Sequence, residues 1–459
     1  MTFWDAVADL PMASAAFFAI ALLVAFGFEF INGFHDTANA VTTVIYTRTL
    51  PATPAVIFSG TLNFLGVLLG GTGVAFGIVN LLPVELLIQS NAENARLGLA
   101  MVMSLLLAGV VWNLGTWYLG LPVSSSHTLI GSILGVGLAN SYLTGQDGVN
   151  WDKALEVGLG LLISPVIGFV AAAGLLLAMK RLVKEPRLYV PPAGEERPPT
   201  WIRGVLIATC GGVSFAHGSN DGQKGMGLIL LVLIGFLSGH YALDIYDGEK
   251  VQPARAGAIA VKQRLESAGL LTPELAADAD GIDRALDGKA SFAELPSAER
   301  KTLRERLYRL TKAAEHPTLA ADHSEEWKRD RKSLSHAVEF VPLWVVIGVA
   351  VALGLGTTIG YNRIVVTVAE KIGKTHLTYA QGAAAEMVAA VTIMAADAFH
   401  LPVSTTHVLS SGVAGTMVAN GSGIQGGTCR RILLAWVLTL PGTVVLSGTL
   451  FLLGSKLVK

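Results

Sequence analysis

Apolar residues run in long blocks along this chain, and the blocks repeatedly meet short polar breaks. Residues 13–33 are apolar apart from Glu29 and lead into NGFHDTANA at 32–40. Blocks follow at 55–82, which contains Gly70-Gly71, at 97–119 and at 155–179, with a shorter one at 122–139. The pattern restarts at Gly204, meets GGVSFAHGSNDGQKGMG at 211–227 and continues to Gly239; further blocks lie at 342–360, 376–399 and 430–455. Stretches of about twenty apolar residues without strict alternation predict membrane helices rather than barrel strands. The polar runs at 32–40 and 211–227 predict two helices interrupted at membrane depth. No Lys or Arg precedes Ala13, so the first block reads as a retained membrane helix rather than a signal peptide.

One stretch occurs twice. LPVSSSHTLIGSILGVGLAN at 121–140 and LPVSTTHVLSSGVAGTMVAN at 401–420 agree at nine of twenty positions without gaps. In each, Leu-Pro-Val leads into three hydroxyl residues, a histidine and a small-residue apolar run. Proline ends a helix and hydroxyl residues cap the start of one, so each copy predicts a break followed by a helix N-terminus. The polar runs pair more weakly: aligning Asp36 with Asp221 sets Asn39 opposite Lys224. Interrupted helices in matching places of two halves point to a transporter with its site at the interface of the halves.

Composition changes the picture little. The chain is 52% hydrophobic and 15% charged with mean hydropathy +0.55, which excludes a soluble protein of this size. Its net charge of −1 singles out no partner, nucleic acid included, and two cysteines build no disulfide framework. The polar linker Lys180–Arg203 carries six Lys/Arg against three Glu, and that basic excess assigns it to the cytoplasm. The expected organisation is a first membrane repeat at 1–180, a basic cytoplasmic linker at 181–203, the start of a second repeat at 204–240, a soluble helical insertion at 241–340 and the rest of the second repeat at 341–459. The fold class expected is an all-α polytopic membrane protein with about 10–12 membrane segments, broken helices and re-entrant helical hairpins.

The candidate chemistry lies in the breaks, because polar groups at membrane depth are costly unless paired or wet. Hydroxyls and free backbone amides at a half-helix N-terminus make an anion site. Ser124, Ser125, Ser126, Ser404, Thr405 and Thr406 are therefore candidates for a tetrahedral oxyanion; the bland alternative is that they only cap two packed helices. Asp36 and Asp221 would repel an oxyanion unless a cation intervenes, so with Asn32 they are candidates for a metal ion or a proton. An oxygen-rich set suits Na⁺, Mg²⁺ or Ca²⁺ better than zinc. Asn39, Asn220 and Lys224 complete the substrate candidates; an Asp–Lys pair that merely holds a helix is the alternative for Lys224. Glu386, His127 and His407 are candidates for ion or proton coupling. His35 and His217 read as mainly structural. A Ser126–His127 hydrolase is disfavoured, since adjacent residues point in different directions and no third orienting group is evident, so no enzyme activity is expected.

INGFHDTANAVTTVIYTRTL, WNLGTWYLGLPVSSSHTLIG, FAHGSNDGQKGMGLILLVLIG and LPVSTTHVLSSGVAGTMVAN resemble the signatures of the inorganic phosphate transporter (Pit) family, specifically its bacterial low-affinity members. The resemblance covers both halves and is weakest at 241–340. It implies inverted-topology repeats and a secondary symporter of inorganic phosphate in the bacterial inner membrane. Proton-driven import of a neutral divalent metal phosphate is the implied mode, with sodium coupling or a sulfate permease as alternatives. It further implies that 241–340 faces the cytoplasm, that no cofactor is permanently bound, and that the partners are phosphate, a divalent cation and membrane lipid; homodimer formation stays open. Lys224 in place of a neutral amide, and Asn63 where sodium-coupled relatives often carry an acid, lean toward protons.

Overall fold

A computed structural model of the protein describes residues 3–8, 10–82, 92–145, 148–192, 197–245, 247–320 and 324–458. Helices account for nearly all regular structure among them, with one isolated bridge between Gly373 and Ile424. The first half holds α1 (Met12–Tyr46), α2 (Ala52–Leu69), α3 (Gly73–Val79), α4 (Ala92–Tyr118), α5 (Ser125–Thr144) and α6 (Trp151–Leu182). The second holds α7 (Thr200–Phe236), then α8 (Val251–Ser267), α9 (Pro273–Leu286), α10 (Ser297–Ala314) and α11 (Glu325–Val338). It closes with α12 (Leu343–Thr357), α13 (Asn362–Glu370), α14 (Tyr379–Ala398), α15 (Thr405–Asn420) and α16 (Gly426–Val458). Six described helices, α1, α2, α4, α6, α14 and α16, are long and apolar enough to cross a membrane, or seven if the bent pair α11 and α12 forms one span.

The duplicated stretch builds the same local structure twice. Leu-Pro-Val is non-helical in both copies, and the extended serine that follows caps the helix: Ser124 Oγ accepts from the His127 amide at 3.2 Å and Ser404 Oγ from the His407 amide at 3.1 Å. Both helices end on a left-handed glycine, Gly145 and Gly421, the residue that pays no Cβ penalty there.

Each copy packs against the last helix of the other half, α5 on α16 and α15 on α6. Gly135 and Gly415, equivalent in the two copies, allow that approach. A Cβ at Gly135 would lie 2.2 Å from the Val444 carbonyl oxygen, and one at Gly415 2.2 Å from that of Phe169. Small residues let membrane helices meet backbone to backbone. The two receiving helices also match, each with one internal proline, Pro165 in α6 and Pro441 in α16.

Elsewhere the structure corrects the expected breaks. Both α1 and α7 run unbroken through 32–40 and 211–227, at 35 and 37 residues. Neither polar run contains proline, so every backbone amide can keep its helical bond. The polar side chains find partners on other helices, which removes the need to unwind toward water. The block at 55–82 is instead split: α2 ends at Leu69, Gly70 is extended, and α3 starts at Gly73.

The described chain divides into two compact units. One comprises Ile20–Pro83, Leu99–Leu230 and Leu343–Lys459; the other comprises Met1–Ala19, Val84–Gly98 and Leu231–Pro342. Within the second, helices α8 to α11 close around Leu303, Leu307, Leu310, Phe292 and Trp327. Buried Arg304 donates to the carbonyls of Ala242 at 2.7 Å and Val338 at 3.4 Å, tying the two ends of this segment together.

Candidate functional site

The site forms where α1 and α7 meet the starts of α5 and α15. On α7, His217, Asp221 and Lys224 are spaced i, i+4 and i+7, which places them on one face. All three are buried, as is Asp36 on α1. His217 Nε2 lies 3.3 Å from Asp221 Oδ2 and 3.7 Å from Asp36 Oδ2, so the imidazole sits between the carboxylates. Ligand atoms of Asp36, His217 and Asp221 all fall within 4.8 Å of one another. Asn63 on α2 orients the ring: its Oδ1 is 2.9 Å from His217 Nδ1, and its Nδ2 donates to Thr357 Oγ1 at 2.8 Å.

The two hydroxyl clusters reach this centre differently. Thr406 Oγ1 donates a short hydrogen bond to Asp36 Oδ1. Ser126, its counterpart in the first copy, donates to the Val403 carbonyl at 3.1 Å and accepts from Lys224 Nζ at 2.7 Å. Lys224 spends its remaining donors on Asp221 Oδ1 at 2.5 Å and the Val403 carbonyl at 2.8 Å. Two carboxylates against one ammonium leave the cluster with one excess negative charge when the imidazoles are uncharged.

The remaining candidates separate into those the structure gathers and those it does not. Asn32 joins the centre, with Nδ2 3.4 Å from Asp221 Oδ2 and its buried Oδ1 without a partner. Thr405 lines a space of about 10 Å³ with Asp36, Asn63 and His217, walled by Val213 and Ile393; this holds about one water. Ser125, the counterpart of Thr405 in the first copy, is buried with a free Oγ, whereas Ser124 and Ser404 are committed to capping. His127 and His407 come together, their ring centroids 4.6 Å apart, and His407 stacks on Trp436 at 4.0 Å.

Asn220 turns away: its Nδ2 donates to Asp397 Oδ1 at 2.6 Å and to the Leu401 carbonyl at 3.3 Å. Glu386 instead accepts from Thr209 Oγ1 at 2.6 Å. The Asn39 side chain lies outside the described residues. His217, read from the sequence as mainly structural, is a member of this centre, and Asp397 gathers Ser219 and Asn220. Glu29, buried on α1 with neither carboxyl oxygen hydrogen-bonded, joins them as an uncommitted acid.

Long apolar helices around two facing half-helix starts and a buried charge cluster define a helical membrane carrier for a small ion. Residues 32–447 match the model of the phosphate transporter family, and the chain belongs to that family. It is 40% identical to the low-affinity inorganic phosphate transporter PitA of Escherichia coli (strain K12), over 97% of this chain and 98% of that protein. It is likewise 40% identical to PitB of the same strain, over 96% and 97%. A probable low-affinity inorganic phosphate transporter of Bacillus subtilis (strain 168) is 29% identical over 94% of both. A solved structure titled the sodium-dependent phosphate transporter shares the fold at TM-score 0.60, with 19% identity over 95% of this chain and 98% of that one. The relatives are named as transporters, not enzymes.

Proposed function

We propose that this protein is a secondary symporter that imports inorganic phosphate across the bacterial inner membrane as a neutral divalent metal complex, driven by protons and working by alternating access. The observation that carries the reading is the meeting of two hydroxyl-bearing helix starts from opposite halves at a cluster one positive charge short. Backbone amides and hydroxyls of α5 and α15 would hold the oxyanion; Asp36, Asp221, His217 and Asn32 would hold the accompanying cation. In this reading the two halves are inverted repeats, supported by the exchanged packing of α5 and α15, and one half rocks against the other. Glu386, a buried acid with one bonded oxygen, and the neighbouring His127 and His407 are the proton-handling candidates. Sodium coupling is the second reading; a structural likeness at 19% identity supports the fold and not the ion.

In this reading the insertion 241–340 faces the cytoplasm. Ser267→Cys should then react with an impermeant maleimide only after lysis; labelling in intact cells would reverse the assignment.

Purified protein in proteoliposomes tests function directly. Labelled phosphate should accumulate under an inward proton gradient and more so with Mg²⁺. Uptake that ignores the gradient but requires Na⁺ would establish the second reading. Competition by excess sulfate equal to that by phosphate would turn the substrate assignment toward sulfate.

A further inference from the structure

We propose that the Lys224 ammonium is a tethered cation seated in the second-half counterpart of the cation position at Asp36, so that this carrier needs one fewer mobile cation than its duplicated framework would hold. The inference rests on the reading above that a cation neutralises the site, and it adds where one of the charges comes from.

Internal correspondence makes the argument. Asp36 matches Asp221 and Asn39 matches Lys224, both 185 residues apart; Ser126 matches Thr406 at 280. In one pairing across the halves the hydroxyl binds its carboxylate directly, Thr406 to Asp36. In the other, an ammonium stands between the equivalent pair, 2.7 Å from Ser126 Oγ and 2.5 Å from Asp221 Oδ1. Its third acceptor is the Val403 main-chain carbonyl at 2.8 Å, exposed by the break of the other repeat copy.

A hydroxyl, a carboxylate and a main-chain carbonyl form the donor set of a hard cation. Three N–H groups meeting three oxygens leave the buried ammonium fully satisfied. Asparagine, the residue found at the matching position of the first half, would remove the charge and leave an oxygen ligand behind. The vacated triad would then take an alkali cation from solution.

Lys224→Asn and Lys224→Met, which removes charge and ligand alike, test this beside the parent protein. Phosphate uptake by Lys224→Asn should acquire a requirement for an alkali cation, read as a several-fold stimulation on replacing choline by Na⁺ or Li⁺ at fixed pH. If the parent already responds to Na⁺, the Hill coefficient for Na⁺ should instead rise by about one. In detergent, the melting temperature of Lys224→Asn should increase with NaCl over choline chloride by more than that of the parent or of Lys224→Met, a readout that survives an inactive variant.

The proposal is overturned if Lys224→Asn shows the parent's cation response in melting, whether or not it transports, or if it responds to pH alone. A parent that takes up no phosphate under any gradient would sink the functional reading. The melting comparison would still report on Lys224.

Discussion

The two copies of the Leu-Pro-Val-Ser stretch share a fold and differ in what they touch. Ser124 and Ser404 cap their helices in the same way, and Gly135 and Gly415 admit a neighbouring backbone at the same separation. Two residues past each cap the likeness ends: Thr406 reaches a carboxylate, Ser126 an ammonium. Duplication therefore repeats the scaffold, while the charge that each hydroxyl meets is set by residues outside the repeated stretch.

The sharpest way to break this comparison is at the carboxylates. Asp221→Asn leaves Lys224 buried with one charge partner removed, a change worth about 3–5 kcal/mol. Asp36→Asn removes a carboxylate that no Lys or Arg pairs with among the described residues, and should cost stability far less. Thermal unfolding of both variants in detergent checks the asymmetry; equal losses would show that Lys224 is not held by Asp221. Both should lose phosphate uptake.

At the shared scaffold the expectation is symmetric. Gly135→Ala and Gly415→Ala each drive a methyl into a facing carbonyl, and overpacking of this kind costs about 1–3 kcal/mol. Similar drops in melting temperature are expected from both; a large effect in only one would mean that the two exchanged contacts are not equivalent. The smallest effects belong to the hydroxyls. Ser126→Ala removes one of three acceptors from Lys224 and should lower stability by about 1–3 kcal/mol. Thr406→Val leaves Asp36 without that donor, which should alter the dependence of uptake on the driving cation more than Ser126→Ala does.

Local chemistry made the scaffold legible and left the site half-read. Proline and a capping serine act within a few residues, so the breaks at 121–124 and 401–404 and the helices behind them followed from the sequence. The continuity of α1 and α7 did not, because Asn32, Asp36, Asp221 and Lys224 are stabilised by partners from distant segments that no local pattern displays. His217 is oriented toward the carboxylates by Asn63, 154 residues away. Its spacing to Asp221 and Lys224 was visible on one helix face and was the available signal. Asn220, chosen for its neighbour Asp221, points instead to Asp397, since consecutive helical residues face different directions.

The central claim is that the cluster at Asp36 and Asp221 couples a cation to phosphate movement. The direct measurement is phosphate accumulation in proteoliposomes carrying the parent or Asp36→Asn, each under an imposed inward proton gradient. The account predicts accumulation above the external concentration by the parent and none by the variant. Equal accumulation by both proteins would contradict it.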